Sequence, residues 1–173
     1  MMNKKKWTSL KGWLFKQGYT VIYKAWRMYL KYFGRSTQGA QVVVKCADKY
    51  LLVKSIYRDT YSFPGGYRKR GESAKQNAIR ELFEETGLFI EEERLELSFE
   101  NSFKFGRSMC RDSIFYIELD FIELESIRCD DSEIESIKFF SLEELPSLML
   151  DPIVANFFKL SKAPRETKKC YAN

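Results

Sequence analysis

The feature that most constrains this chain is one helix with marked ends and two chemically different faces. Ser73 and Gln76 have the spacing of a capping box, and Gly87 is typical of the residue just beyond a helix C-terminus. At about 100° per residue, the helix gathers its glutamates on one side and its apolar side chains on the other. We therefore expect it to pack on a core and to expose a carboxylate cluster. The acidic residues are Glu81, Glu84 and Glu85, and the residues predicted to face the core are Ile79, Leu82, Phe83 and Thr86.

Three carboxylates this close repel one another unless a cation or shifted pKa values relieve the repulsion. A site with oxygen ligands alone suits Mg²⁺, which we expect as the cofactor, with Mn²⁺ as the alternative. The chain has no histidine, and its four cysteines lie far apart, which argues against a structural zinc site. The alternative without a function is a solvated acidic helix face.

Strand-like runs surround this helix on both sides. Residues 41–47 and 50–55 predict a hairpin, and residues 95–105, 113–124 and 137–140 predict three further strands. Residues 142–145 predict a short helical turn, and residues 151–162 predict a terminal helix. The pattern is that of an α/β domain.

The residues around the acidic cluster complete a longer motif. Gly66 is followed after five residues by Glu72, and after seven more by Arg80-Glu81-Leu82-Phe83-Glu84-Glu85-Thr86-Gly87-Leu88. This motif resembles the box of the Nudix (MutT-like) hydrolases at every defined position, and the preceding Phe63-Pro64-Gly65-Gly66 is also similar to that family. The resemblance covers about residues 40–146. It implies an α/β/α sandwich with a mixed β-sheet.

The resemblance also implies roles for individual residues. The metal ligands would be the carboxylates of Glu81, Glu84 and Glu85 and the backbone carbonyl of Gly66. Arg80 would orient Glu81, and Glu72 would pair with Arg80 or support the metal-bound water. For the general base, Glu81 is the first choice and Glu133 the second. Glu133 lies in the acidic segment 130–134, for which a solvated turn is an equally good interpretation.

The activity implied by the resemblance is Mg²⁺-dependent hydrolysis of a diphosphate bond by metal-activated water. The substrate would be a small nucleotide-like molecule, a nucleoside diphosphate linked to another group. The alternative enzyme is an RNA 5′-end pyrophosphohydrolase. The basic residues near the N-terminus, described below, favour this alternative. A non-catalytic module that senses nucleotides is the alternative of another class, and the complete set of acidic residues disfavours it.

Candidate substrate-binding residues follow from side-chain chemistry alone. Phe103, Phe105 and Tyr116 could stack on a base, and Lys104, Arg107 or Arg111 could contact phosphate. Tyr57, Arg58, Tyr67, Arg68 and Arg70 flank the motif and are similarly ambiguous candidates. Of all these residues, we predict Phe103, Phe105 and Arg68 to bind the substrate. For each aromatic residue the alternative is a place in the core, and for each arginine it is a solvated side chain. The sequence does not identify which nucleotide derivative is the substrate.

Residues 1–35 form a basic arm. They contain nine of the 29 Lys and Arg residues and none of the 24 acids, so the rest of the chain has a net charge of −4. Apolar residues at helical spacing in residues 7–33, with Trp7, Trp13 and Trp26 among them, predict an amphipathic helix interrupted near Gly18. Glycines and small polar residues make residues 34–39 a linker. We expect an N-terminal helical extension with its linker over residues 1–38, and a Nudix-type hydrolase domain over residues 39–173.

The basic arm has three possible roles. It could bind an anionic membrane surface, bind RNA through phosphates, or pack on the domain or across a homodimer. Lysines interrupt each apolar run, so neither a signal peptide nor a membrane span is expected. We expect a cytoplasmic protein, with peripheral attachment to a membrane as the alternative.

Overall fold

A mixed sheet is built from seven strands in the part of the chain that the computed structural model describes, residues 10–128 and 133–162. The strands are β1 Thr37–Cys46, β2 Lys49–Ser55, β3 Tyr61–Ser62, β4 Gly65–Tyr67, β5 Glu96–Phe105, β6 Ser108–Glu118 and β7 Ile134–Ser141. The helices are α1 Leu10–Phe33, α2 Ala74–Thr86 and α3 Pro152–Lys162. Short 3₁₀ turns cover Glu92–Arg94, Phe121–Ser126 and Leu145–Ser147.

The strand order is β3-β2-β1-β6-β5, with β4 also paired to β1 and β7 to β2. The pairing of β1 with β6 is parallel, and the other pairings are antiparallel. The expected mixed sheet is therefore confirmed. Because β1 also pairs with β4, it holds the loop that precedes α2 close to the sheet centre.

The two faces of the sheet bury separate hydrophobic clusters. Alternate residues of β1 point to opposite faces: Val42 packs with Leu82 of α2, whereas Val43 packs with Val154 of α3. All four side chains are fully buried. The layers are helix, sheet and helix, as the resemblance implied.

Helix α2 begins and ends where the sequence predicted. The Ser73 side chain accepts a hydrogen bond from the Gln76 N–H at 3.1 Å, and the Gln76 side chain accepts one from the Ser73 N–H at 3.0 Å. Gly87 ends the helix in the left-handed conformation, at φ 74°. One prediction was wrong: Phe83 is 53% exposed, because the core face of α2 is narrow and is occupied by Ala78, Leu82 and Thr86.

Other differences from the sequence prediction lie at element ends. The strand predicted over residues 113–124 already ends at Glu118, and a 3₁₀ turn follows it. Strands β3 and β4 were not predicted, since two or three residues are too short for a visible alternation. Strand β1 includes Thr37–Gly39, which the sequence interpretation had placed in the linker.

Helix α1 is continuous through Gly18 and docks on the domain by its C-terminal half. Leu30 is 2% exposed, and its carbonyl accepts a hydrogen bond from the Ser108 hydroxyl at 2.6 Å. The Lys31 carbonyl accepts another from the Arg107 N–H at 3.0 Å. Of the interpretations considered for the basic arm, packing on the domain applies to this part of it. No helix in the described part of the chain is long and apolar enough to cross a membrane.

Candidate active site

Arg80 is the centre of an ion-pair network on α2. Its Nε and Nη2 donate to the two oxygens of Glu72 at 2.6 and 3.1 Å. Its Nη1 donates to Glu81 at 2.7 Å and to Glu84 at 2.9 Å, and Nη2 also reaches the Tyr67 carbonyl at 3.2 Å. The side chains of Arg80, Glu72 and Glu81 are only 19%, 19% and 15% exposed. The network therefore fixes the guanidinium and, through it, one oxygen of Glu81.

The electrostatics of the network differ from residue to residue. Hydrogen bonds from Arg80 lower the pKa of Glu72 to about 2, so this carboxylate stays charged. Burial raises the pKa of Glu81, although the hydrogen bond from Arg80 opposes the shift. Arg80 therefore pairs with two different carboxylates: Glu72, which stays ionised, and Glu81, whose pKa is raised.

Two consecutive glycines bring the chain close to the acidic cluster. The Gly65 N–H donates to Glu85 at 2.9 Å. The α-carbon of Gly66 lies beside Glu81, whose carboxylate oxygens would be 2.6 and 2.9 Å from a Cβ placed there. The Gly66 carbonyl oxygen lies on the β1 side, 2.8 Å from the place that a Cβ on Gly39 would take. The Phe-Pro-Gly-Gly segment therefore forms a wall of the acidic site.

Glu133 joins this cluster from the start of β7. Glu81, Glu84, Glu85 and Glu133 line one small cavity of about 130 Å³. The pKa of Glu85 is raised to about 8, mainly because the carboxyl is buried and also because Glu81 and Glu133 carry like charge nearby. A cation in this cavity would relieve both causes.

The donor set fits a hard divalent cation, because four carboxylates meet at one cavity and the charge of Arg80 is already shared with Glu72. Within residues 10–128 and 133–162, no three acidic, cysteine or histidine side chains already converge enough to hold a metal ion. Arg80 Nη1 pairs with both Glu81 and Glu84, at 2.7 and 2.9 Å.

A larger cavity of about 800 Å³ adjoins the acidic site at Gly65 and Gly66. Phe103 and Phe105 of β5, two of the predicted substrate-binding residues, line it. Arg68 is not among the described residues that line it, and its backbone N–H bonds instead to the Gln38 carbonyl at 2.8 Å. Tyr57, Arg58 and Tyr67, which the sequence left as ambiguous candidates, also line the cavity.

Several residues of this cavity escaped the sequence analysis. Helix α1 contributes Tyr23 and Arg27, the sheet contributes Gln41 and Asp112, and the segment before α3 contributes Asp151. Burial raises the pKa of Asp112 to about 6. No local pattern could identify these residues, because they come together only through contacts between distant parts of the chain. The one available signal was an acidic residue within a strand, such as Asp112, which is half-buried in β6.

Alanine substitutions at the two glycines should have opposite consequences. In Gly66→Ala, the new Cβ displaces only the flexible end of Glu81, so we expect a stability loss of about 1 kcal/mol or less. Displacing a catalytic group by about 1 Å can cost on the order of 100-fold in rate, so activity should fall steeply. In Gly65→Ala, φ of 153° and contact of the Cβ with the Ala40 carbonyl should destabilise the fold itself.

Urea unfolding and turnover of both variants test this contrast. The expected result is a folded, nearly inactive Gly66→Ala protein and a clearly less stable Gly65→Ala protein. A fully active Gly66→Ala protein would contradict the position assigned to Glu81.

Comparison with known proteins agrees with this architecture. Residues 36–161 match the model of the NUDIX domain family. An ADP-ribose pyrophosphatase of Methanocaldococcus jannaschii is 26% identical over 131 residues, which are 74% of this chain and 73% of the relative. A putative 8-oxo-dGTP diphosphatase of Bacillus subtilis is 46% identical over 52 residues, covering 30% of this chain and 35% of the relative.

Solved structures show the same fold. A bifunctional NMN adenylyltransferase/ADP ribose pyrophosphatase from Francisella tularensis aligns with a TM-score of 0.60 and 25% identity, over 85% of this chain and 46% of that protein. A C. elegans Ap4A hydrolase aligns with a TM-score of 0.58 and 18% identity, over 71% of this chain and 93% of that protein.

Proposed function

The chain belongs to the Nudix hydrolase family, and on that premise we propose that it cleaves the diphosphate bond of a nucleoside diphosphate linked to a second group, with Mg²⁺ as cofactor. The observation that carries the proposal is that Glu81, Glu84, Glu85 and Glu133 line the same cavity. This cavity adjoins a pocket of about 800 Å³, a volume typical of sites for small molecules.

We assign a different role to each residue of the site. Glu72 holds Arg80 by two hydrogen bonds, and Arg80 holds one oxygen of Glu81. Glu81, so oriented, is the first candidate to accept a proton from the attacking water, and Glu133 is the second. Arg80 is therefore a positioning residue, and Glu72 anchors it.

Glu81, Glu84 and Glu85 would hold the cation, whereas the Gly66 carbonyl, predicted as a further ligand, lies on the β1 side of its segment. When bound, Mg²⁺ supplies neutralisation of the negative charge that develops on the diphosphate oxygens and lowers the pKa of water. The Glu85 carboxyl is buried, and the Gly65 N–H holds one of its oxygens by a hydrogen bond of 2.9 Å.

The relatives support the substrate class. The Methanocaldococcus jannaschii protein is named an ADP-ribose pyrophosphatase, and the Francisella tularensis protein carries the same activity beside a second one. ADP-ribose is a nucleoside diphosphate linked to a sugar. It is therefore the first substrate to test.

A substrate panel tests the proposal. Purified protein with Mg²⁺ is given ADP-ribose, 8-oxo-dGTP, the four dNTPs, dinucleoside polyphosphates or 5′-triphosphate RNA, and products are identified by mass spectrometry. We expect release of a nucleoside monophosphate and a phosphorylated second fragment from at least one diphosphate-linked compound. Turnover of 5′-triphosphate RNA alone would favour the RNA 5′-end alternative, and binding without turnover would favour the sensing module.

Glu133 offers a separate prediction. If it serves the site, Glu133→Gln should lower turnover by about tenfold or more, as is typical for groups that support a metal site. Glu135→Gln is the matched control, because Glu135 is two residues away and pairs with Lys54 at 3.5 Å. If both variants are as active as wild type, Glu133 does not serve the site, and its acidic turn is only a solvated one.

Contacts of residues 1–35 with an anionic membrane or RNA, and a homodimer, stay predictions that rest on composition. Co-sedimentation with phosphatidylserine vesicles, salt-dependent RNA binding and sedimentation equilibrium test them. Cytoplasmic localisation stays a prediction in the same way.

A further inference from the structure

Helix α1 lies outside the family-matched residues 36–161, and yet it lines the large cavity beside the acidic site. Tyr23, Arg27 and Leu30 contribute this part of the wall. The cavity continues to Gly65 and Gly66, which contact Glu85 and Glu81. A molecule reacting at the acidic cluster could therefore extend along α1.

The position of α1 is fixed by specific contacts. The Leu30 and Lys31 carbonyls accept hydrogen bonds from Ser108 and Arg107, at 2.6 and 3.0 Å. Gly106, at φ 60°, lets the β5–β6 turn approach Lys31, where a Cβ would meet the Lys31 backbone. Because Leu30 is also buried, Tyr23 and Arg27 are held in place two turns or less away along the same helix.

Aromatic rings and guanidinium groups meet where α1 faces the domain. The Tyr23 and Tyr57 rings lie 4.8 Å apart between centroids, and the Arg58 guanidinium lies 5.0 Å from the Tyr23 centroid. The Arg27 guanidinium lies 4.8 Å from the Phe105 centroid. Such surfaces bind flat aromatic rings by stacking and bind anions by charge.

Two buried polar atoms of the same cavity lack a hydrogen-bond partner among the described residues: the acceptor Gln41 Oε1 and the donor Arg58 Nε. Buried polar groups are seldom left unpaired, so these atoms point to a ligand that brings both a donor and an acceptor. The carboxylates of Asp112 and Asp151 add further acceptors. A nucleobase combines a flat aromatic ring with donors and acceptors on its edge.

We propose that α1 forms a wall of the substrate pocket and that Tyr23, with Tyr57 and Arg58, binds the base of the nucleotide. This inference rests on the proposed function, since it places the base of the same substrate whose diphosphate lies at the acidic cluster. The N-terminal helix is then a substrate-binding element of the enzyme. Tyr23 contributes to base recognition rather than to the chemical step.

Calorimetric titration of nucleoside monophosphates tests this without turnover. AMP, GMP, CMP and UMP are titrated into the full-length protein with Mg²⁺, and ribose 5-phosphate serves as the probe without a base. We expect at least one nucleotide to bind about tenfold or more tighter than ribose 5-phosphate, or about 1.4 kcal/mol. Tyr23→Ala and Tyr23→Leu should each remove most of that difference and leave ribose 5-phosphate binding unchanged.

Tyr32→Ala is the matched control, because Tyr32 is on the same helix, 57% exposed and outside the residues that line the cavity. It should bind nucleotides as wild type does. Tyr23→Leu keeps apolar bulk against the domain, and far-UV circular dichroism checks that both Tyr23 variants retain their helix content.

Three results would overturn the inference: no preference for nucleotides over ribose 5-phosphate, wild-type binding by both Tyr23 variants, or equal losses in the Tyr32 control. The substrate panel separates this failure from failure of the proposed function. If diphosphates are hydrolysed but the Tyr23 variants bind nucleotides normally, the enzyme assignment stands and the role of α1 falls. If no diphosphate is hydrolysed, the proposed function itself fails.

Discussion

Replacing Glu85 by glutamine is expected to lower turnover by on the order of 100-fold or more while the protein stays folded. The substitution removes one negative charge from the proposed cation site at nearly constant shape, and charge stabilisation by a metal ion is worth several kcal/mol. The glutamine carbonyl oxygen can still accept the hydrogen bond that the Gly65 N–H makes to Glu85 at 2.9 Å. Steady-state turnover with Mg²⁺, together with thermal unfolding in chelator, measures both effects.

In Glu85→Gln, turnover should fall although the stability of the fold does not. Glu85 is a buried carboxylate close to Glu81 and Glu133, so in chelator its neutral replacement should be at least as stable as wild type. Glu118→Gln is the control, because Glu118 is an exposed residue at the far end of β6 that pairs with Lys45 at 2.8 Å. Wild-type turnover in Glu85→Gln would contradict its assignment as a metal ligand.

Replacing Arg80 by alanine is expected to destabilise the fold by about 2–3 kcal/mol and to lower activity as well. Removing one partner of a buried ion pair typically costs about 3–5 kcal/mol, and partial exposure reduces that figure. Here two poorly exposed carboxylates, Glu72 and Glu81, lose their partner at once. Urea unfolding measures the loss of stability.

Arg94→Ala is the matched control for Arg80→Ala. Arg94 pairs with Glu123 at 2.6 Å, but these side chains are 41% and 31% exposed, so we expect a cost of about 1 kcal/mol or less. Arg80→Lys should retain the charge but lose the paired hydrogen bonds to Glu72, and it should fall between alanine and wild type. If Arg80→Ala costs no more than Arg94→Ala, the network is not what holds the site together.

Local sequence signals predicted the central part of the fold. As predicted, α2 begins after Ser73, which forms a capping box with Gln76, and it ends at Gly87. Their effects act within one or two helical turns, so a single sequence contains them in full. The glutamates of α2 are grouped by the helical period itself, which is why their meeting at one cavity was foreseeable.

The substrate side of the site depends on contacts that no local pattern contains. Tyr23 and Tyr57 are 34 positions apart in the chain and meet only because α1 docks on the β5–β6 turn. The exposed position of Phe83 has a similar origin, because the sheet meets only a narrow stripe of α2. Helical periodicity gives the direction of a side chain but not the width of the surface that covers it.

The proposed cation site is tested by measuring hydrolysis of the fastest panel compound as Mg²⁺ is added to a metal-free buffer. We expect no product in excess chelator, saturable recovery of turnover as Mg²⁺ is added, and turnover at least 100-fold lower in Glu85→Gln at every Mg²⁺ concentration. Product formation that persists in chelator, or equal recovery in wild type and Glu85→Gln, would contradict a divalent cation held by this acidic cluster.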